Sequence, residues 1–293
     1  MKPVILLVLN LLLIAGCVSC GGGEQPKEIV TVTIQPQKYF AEKIAGDRFD
    51  INCIVPNGMN PESYDPSPSH LVHLGKSRAY FKIGYIGFEM AWLDKLMQNN
   101  PGMKLYDNSQ GIDLLKGTHV CMDEDMHLHL ENIDPHIWTS PKGAAVIAEN
   151  MYRAFVELDP EHKEYFRKNY LELKEQIDHT DSILTAVLSK VPGRMFVIYH
   201  PTLSYLARDY NLRQLSIEMD GKEPSPFYLK TVMDAARENH ADIIFVQKEF
   251  DSKNVRVIAD ELDGKIVEIN PLSYDWVEET IRIANALGDE QTN

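Results

Sequence analysis

The longest uninterrupted helical pattern in the chain covers residues 161–191, and it constrains the fold more than any other stretch. The segment reads EHKEYFRKNYLELKEQIDHTDSILTAVLSKV, and its apolar residues recur with helical periodicity. Pro160 can occupy the first helical position, and Pro192-Gly193 ends the pattern. Roughly thirty residues at 1.5 Å each predict a helix about 45 Å long. A helix of that length can cross from one lobe of a protein to another.

Strand-like and helix-like segments alternate on both sides of this helix. The predicted strands are residues 29–34, 49–55, 79–84 and 103–106 before it, and residues 195–199, 212–217, 242–246 and 266–269 after it. Strands that alternate with amphipathic helices are typical of parallel sheets covered by helices. We therefore predict an α/β fold with two parallel-sheet lobes, residues 29–159 and 192–293, joined by one bridging helix at residues 160–191.

The first 28 residues predict a targeting segment and a tether rather than a part of the fold. Residues 1–17, MKPVILLVLNLLLIAGC, combine a lysine, an apolar run and small residues before Cys17. This run has the length of a signal peptide and is too short to span a bilayer. Its end resembles the lipobox of bacterial lipoproteins, in which the cysteine is lipidated, and an ordinary signal peptide is the alternative. With residues 18–28 as a flexible tether, we expect a lipid-anchored protein of the cell envelope, on the periplasmic or extracytoplasmic face.

Charge and cysteine content narrow the classes of partner and site. The formal net charge is −14, from 43 acidic and 29 basic residues. This balance argues against a nucleic acid partner, because binding to a phosphate backbone depends on clustered Lys and Arg. Cys53 and Cys121 show no CxxC spacing of a zinc or redox site. An oxidising compartment would permit a disulfide between them, and the sequence leaves that pairing open.

Three polar residues stand where ligands bind in parallel sheets, beyond the carboxyl ends of the strands, and a fourth lies in a loop that could face the same cleft. Glu62, His200 and Asn270 each follow a predicted strand, and His136 precedes a helix start in IDPHIWTSPKGA. Two imidazoles and a carboxylate suit a divalent transition metal. Their spacing alone also allows histidines that only cap a helix or form hydrogen bonds.

The same donors occur in two classes of enzyme, non-haem iron oxygenases and some metallohydrolases. The chain contains no HExxH motif, no GxSxG elbow, no GxxxxGK[ST] loop and no catalytic-cysteine signature. We therefore expect a binding protein and no enzyme.

Five segments together resemble one protein family. They are, in order, NGMNPESYDPSPSH, DPHIWTSPKGA, FVIYHPTLSYLARDYNL, IIFVQKEFDSKNVRVIADE and VEINPLSYDW. Over essentially the whole mature chain they look like the zinc and manganese substrate-binding proteins of ABC transporters, the ZnuA/TroA-like family. The resemblance implies two α/β lobes joined by one long helix, with a metal site in the interlobe cleft. It also implies a monomer that delivers its metal to a membrane permease and its ATPase.

The resemblance implies His136 and His200 as metal ligands, and it shows two departures. Glu62 stands where the family has a histidine, in Pro-Glu-Ser-Tyr for Pro-His-x-Tyr, and Asn270 stands where the family usually has an aspartate. Three histidines with an aspartate carry one negative charge, as do a glutamate, two histidines and an asparagine. The carboxylate could thus have moved from position 270 to position 62, across the cleft, without a change in the formal charge of the ligand set. The alternatives are a fourth position filled by water or another residue, and a weakened site in a paralogue used for adhesion or another ligand.

The metal and an auxiliary loop are further expectations from the resemblance. Within the family, a histidine at position 200 favours Zn²⁺, while the oxygen donor of Glu62 makes Mn²⁺ and Fe²⁺ alternatives. Zinc proteins of the family often have a His- and acid-rich loop where this chain has THVCMDEDMHLHLEN, residues 118–132. Its His119, His127 and His129 could collect metal, or the segment could be a plain solvated loop.

Overall fold

The computed structural model describes residues 27–116, 133–218, 224–250 and 253–289. In these ranges eight strands form two four-stranded sheets, in which every pair of neighbours is parallel. The first sheet contains β1 (Glu28–Val32), β2 (Phe49–Cys53), β3 (Ser77–Lys82) and β4 (Lys104–Asp107). The second contains β5 (Met195–Ile198), β6 (Arg213–Ser216), β7 (Ile243–Gln247) and β8 (Lys265–Ile269). The predicted fold of two parallel-sheet α/β lobes is confirmed.

Several predicted features lie outside the described residues. They are the signal peptide and most of the tether, with Cys17, and the loop of residues 118–132 with His119, His127, His129 and Cys121. Cys53 has no disulfide partner among the described residues. Its pairing with Cys121 therefore stays a prediction.

The two sheets share one strand order, β2-β1-β3-β4 in the first and β6-β5-β7-β8 in the second. In each sheet the chain starts at an inner strand, steps to one edge and then crosses back to the other side. The ends of β1 and β3, and of β5 and β7, therefore lie at the point where the order reverses. Crevices at such points bind ligands in open parallel sheets.

Nine helices in the described ranges cover these sheets. They are α1 (Gln35–Ala45), α2 (Pro68–Leu74), α3 (Gly87–Asn99), α4 (Pro141–Leu158), α5 (Lys163–Leu188), α6 (Ser204–Asp209), α7 (Pro226–Glu238), α8 (Lys253–Leu262) and α9 (Trp276–Gly288). Three of them begin at a Ser-Pro pair, in which the serine hydroxyl accepts a backbone hydrogen bond and the proline takes the first helical position. No helix within the described ranges has both the length and the apolar character needed to cross a membrane.

The long helix α5 joins the cores of both lobes. Phe166 and Leu173 are buried in the core of the first lobe, and Leu184 and Leu188 in that of the second. The helix has 26 residues, or about 39 Å at 1.5 Å per residue. It is shorter than the predicted segment because residues 160–162 form a separate 3-10 turn and the helix ends at Leu188.

Two tryptophans bind the lobes to each other at the base of the cleft. The indole N–H of Trp138 donates to the carbonyl oxygen of Pro271 at 2.8 Å, and that of Trp276 donates to the carbonyl oxygen of Trp138 at 2.7 Å. Both rings are buried, and Trp276 also packs edge-on against Phe40, with ring centroids 5.3 Å apart. Buried indole N–H groups need such partners, so these contacts fix how the two lobes meet.

Candidate metal centre

His136 is presented by the tight turn that precedes α4. It directly precedes the 3-10 turn Ile137–Thr139 and is 6% exposed. Its backbone N–H and its ring Nδ1 both contact Oδ1 of Asp134, at 2.9 and 2.8 Å. With Nδ1–H donated to that carboxylate, Nε2 remains available to a ligand, which is the arrangement of metal-binding histidines in proteins.

The contact with Asp134 also sets the protonation of this pair. Burial lowers the pKa of His136, but the charge and hydrogen bond of Asp134 outweigh it, helped by the charges of Glu62 and Glu218, so the pKa is raised. Burial would raise the pKa of Asp134, and the neighbouring His136 instead holds it below its ordinary value. The imidazole of His136 therefore holds a proton more tightly than a free imidazole does, and a cation at Nε2 competes with that proton.

His200 directly follows Tyr199 at the end of β5 and has an equivalent partner. Its Nδ1 donates to Oε2 of Glu218 at 2.9 Å, and Glu218, just after β6, is 5% exposed. The side chain of Gln247, at the end of β7, donates to the His200 carbonyl oxygen at 2.6 Å and accepts from its backbone N–H at 3.3 Å. These contacts orient the ring and leave Nε2 available. The His136 and His200 ring centroids lie 5.2 Å apart.

Glu62 is held in the loop between β2 and α2 by the start of α3. Its Oε2 accepts a hydrogen bond from the backbone N–H of Gly87 at 2.9 Å, and a Cβ at Gly87 would lie 2.3 Å from the Glu62 carbonyl oxygen. This close approach is open only to glycine. The other oxygen, Oε1, is buried and has no hydrogen-bond partner within the described structure. A buried carboxylate oxygen without a partner is costly, and a bound cation would satisfy it.

Glu62 and His136 from the first lobe and His200 from the second line one cavity of about 350 Å³ that opens to solvent. The remaining wall is formed by Asn60, Pro61, Trp138, Thr202, Gln247, Glu249, Phe250, Pro271 and Leu272. Across the described ranges, no group of three His, Cys, Asp or Glu side chains is already drawn together as a finished metal site. The three donors therefore surround a common space and would have to close on an ion.

Asn270 does not join this group. It lines an adjacent cavity of about 260 Å³ with Thr139, Ser273 and Glu279, and Trp138 and Pro271 border both cavities. The backbone N–H of Asn270 donates to Oε1 of Glu279 at 2.6 Å, which ties this residue to α9. Its side-chain Oδ1 is buried without a partner among the described residues. The structure thus brings together three of the four predicted ligands.

Glu249 is an acidic residue of the cavity that the sequence reading did not single out. It follows the end of β7 by two residues and is half-buried in the cavity wall. Burial raises the pKa of its carboxyl group, while the charges of Lys248 and His200 act in the opposite direction. The segment IIFVQKEF could have indicated Glu249, because this residue follows the carboxyl end of a predicted strand, as His200 does.

Comparisons with known proteins agree with this architecture. Residues 30–280 match the family model ZnuA, the periplasmic component A of the zinc-uptake complex. The chain is 27% identical to the high-affinity zinc uptake system protein ZnuA of Bacillus subtilis, over 83% of this chain and 78% of the relative. It is 24% identical to the manganese ABC transporter substrate-binding lipoprotein PsaA of Streptococcus anginosus, over 88% of this chain and 84% of that one. A crystal structure of a zinc-bound ZnuA deletion mutant superimposes with a TM-score of 0.82 and 35% identity, covering 90% of this chain and 99% of that chain.

Proposed function

The chain belongs to the ZnuA family of periplasmic metal-binding proteins of ABC transporters, and on this premise we propose that it captures Zn²⁺ outside the cytoplasm and delivers it to a membrane permease. One observation carries the proposal. Two imidazoles, each with Nδ1 tied to a carboxylate, and a partnerless oxygen of Glu62 surround one cavity between the lobes. Side chains so arranged offer a nitrogen–oxygen donor set to a divalent transition metal.

The capture step follows from which lobe holds each donor. Glu62 and His136 lie in the first lobe and His200 in the second, so an ion that binds all three links the lobes. Binding requires neutral imidazoles and an ionised carboxylate, so the metal competes with protons for His136, whose pKa is raised by the charge of Asp134. Two imidazoles put Zn²⁺ first, and the carboxylate oxygen keeps Mn²⁺ and Fe²⁺ as alternative cargoes.

The proposal includes the protein's place in the cell. Lipidation at Cys17 would anchor a monomer to the membrane, where the tether lets it reach the permease and its ATPase. The name of the relative PsaA includes the word lipoprotein, which supports this part of the proposal. We propose capture without catalysis, because the family consists of transport components, whereas a metalloenzyme would need an open coordination position and a general base.

Calorimetry on the mature, chelator-stripped chain tests the function. We expect binding of one Zn²⁺ per chain, with Mn²⁺ and Fe²⁺ as competitors, and loss of that binding in Glu62→Ala, because the variant lacks the partnerless oxygen. Glu172→Ala is the control, since this carboxylate lies exposed on α5 and faces Lys168 at 3.7 Å. A wild-type protein that binds none of the three ions more tightly than about 1 μM would contradict the proposal, because the family fold would then lack its function.

A further inference from the structure

Three donors leave the coordination shell of the proposed cargo incomplete. Zinc sites without an open position are almost always four-coordinate. Glu62, His136 and His200 supply three donors, and Asn270 lines the adjacent cavity instead. A fourth protein ligand would come from the wall of the cavity that the first three share, and water is the alternative occupant of the fourth position.

Three of the four other polar residues on that wall are already committed. The side-chain oxygen of Asn60 accepts the backbone N–H of Glu62 at 2.9 Å. The hydroxyl oxygen of Thr202 accepts a hydrogen bond from Gln247 at 3.0 Å, and the amide of Gln247 is otherwise occupied by the backbone of His200. Moving any of these groups onto an ion would break contacts that hold a ligand in place.

Glu249 is the fourth residue, and the sheet places it beside His200. β5 and β7 are parallel neighbours, with Ile198 paired to Phe245, so the residues that follow their ends meet at one edge. The ring of Phe250, next to Glu249 in the chain, stacks on the His200 ring with centroids 5.2 Å apart and planes 22° apart. The Glu249 carboxylate accepts a hydrogen bond from its own backbone N–H, and in the described part of the chain no hydrogen bond or ion pair with another side chain holds it.

We propose that the Glu249 carboxylate is the fourth ligand of the captured metal, which completes a set of two imidazoles and two carboxylates. The inference rests on the proposed function and adds a residue from the second lobe. Each lobe then supplies one imidazole and one carboxylate. The charges of a divalent cation and of the Glu62 and Glu249 carboxylates balance in a cavity whose wall also contains Trp138 and Phe250.

This donor set also bears on which ion is bound. The family's set has three imidazoles and one carboxylate, whereas the set proposed here has two of each and therefore one more oxygen donor. A larger share of oxygen donors shifts the preference of a site from Zn²⁺ towards Mn²⁺ and Fe²⁺. With Glu249 as a ligand, the affinity for Mn²⁺ should therefore lie closer to the affinity for Zn²⁺ than it would without this carboxylate. A variant without this carboxylate should lose more affinity for Mn²⁺ than for Zn²⁺.

The test compares wild type with Glu249→Gln and with Glu268→Gln in the full mature chain. Glu268 is a matched control, because its exposed carboxylate on β8 faces Lys248 at 3.8 Å and lies outside the cavity wall. Zn²⁺ and Mn²⁺ affinities are measured by calorimetry, and Co²⁺ is added as a spectroscopic probe of coordination. We expect Glu249→Gln to keep one site per chain, to lose at least about tenfold in affinity and to change the visible Co²⁺ spectrum, while Glu268→Gln matches wild type.

The outcomes separate this inference from the function on which it rests. If wild type binds metal and Glu249→Gln gives the same affinities and the same Co²⁺ spectrum, Glu249 is no ligand and the inference alone is overturned. If wild type binds none of the ions, the proposed function and the inference about Glu249 are both overturned. An affinity loss of equal size in Glu249→Gln and Glu268→Gln, with unchanged spectra, would assign the effect to general charge and would also overturn the inference.

Discussion

At the scale of single residues, Glu89 is a buried acid outside the metal cavity. It lies in the first turn of α3 and is 2% exposed. Its oxygens accept hydrogen bonds from the backbone N–H groups of Ile83 at 2.9 Å and Gly84 at 2.6 Å, and from the hydroxyl of Thr33. Burial raises its pKa to about 7, although these hydrogen bonds act to lower it. Glu89 thus ties the ends of β1 and β3 to α3 with a group that titrates near neutral pH.

This raised pKa predicts a pH dependence of stability in the metal-free protein. Between the unfolded value of 4.5 and the folded value of about 7, the folded chain keeps a proton that the unfolded chain has lost. The stabilisation that the raised pKa of Glu89 gives the folded chain is fully present below pH 4.5. The free energy of unfolding should fall by up to about 3 kcal/mol as the pH rises from 4.5 through about 7. Denaturant unfolding of wild type and Glu89→Gln from pH 4.5 to 8 measures how much of this decrease depends on the Glu89 carboxyl group. Parallel stability curves for the two proteins would contradict the assignment.

The site residues show how far a sequence can be read at this scale. Glu62, His136 and His200 are found around one cavity because a strand end of each sheet and a helix start face the cleft between the lobes. Asn270 obeys the same rule, yet it lines another cavity, and its backbone N–H donates to Glu279 there. Strand-end position predicts the edge of the sheet and says nothing about the contacts that turn a side chain within it. The carboxylate partners of the two imidazoles depend on such contacts as well.

At the scale of elements, the start of α4 packs against the turn that follows His136. A Cβ at Gly143 would lie 1.9 Å from the carbonyl oxygen of Ile137, a backbone atom that cannot turn away as a side chain can. Since Ile137 follows His136 directly, any group added at Gly143 would move the turn that orients the imidazole.

We therefore predict that Gly143→Ala weakens metal binding as well as the fold. Overpacking of this kind costs about 1–3 kcal/mol in the free energy of unfolding, and the displaced turn should lower metal affinity. Gly102→Ala is the matched control, because a Cβ there meets no atom within 4 Å. Thermal unfolding and calorimetry of both variants check the prediction. A Gly143→Ala protein with wild-type affinity would show that the turn is positioned by other contacts.

The elements themselves could be predicted almost completely. All eight described strands and the long helix were expected from periodicity and from Gly and Pro punctuation, because these patterns arise within each segment. The bounds differ by a few residues where the end of an element depends on its neighbours. The long helix begins at Lys163 because residues 160–162 form a separate 3-10 turn.

At the scale of the whole molecule, α5 limits how far the lobes can separate. Its buried residues belong to both cores, and the hydrogen bonds of Trp138 and Trp276 join the lobes a second time. Opening the cleft widely would expose these apolar side chains and break two buried hydrogen bonds. We infer that closure on a metal is small and local.

Small-angle X-ray scattering checks this inference on the mature chain. We predict that profiles recorded with chelator and with saturating Zn²⁺ superimpose within experimental error, because only cavity side chains and their loops move. Mn²⁺ serves as the second ion, since closure should not depend on the cargo. A large domain rotation on adding either ion would contradict the role assigned to α5.

The position of Trp138 gives the molecule an optical property of its own. Its ring centroid lies 5.3 Å from that of His136, and the chain has only three tryptophans in all. Indole emission responds to the charge and polarity of its surroundings, so the proposed binding of an ion at the imidazole would act on a fluorophore that the protein already carries. Loading and unloading of the cargo can thus be timed by ultraviolet fluorescence in an unlabelled, unmodified chain.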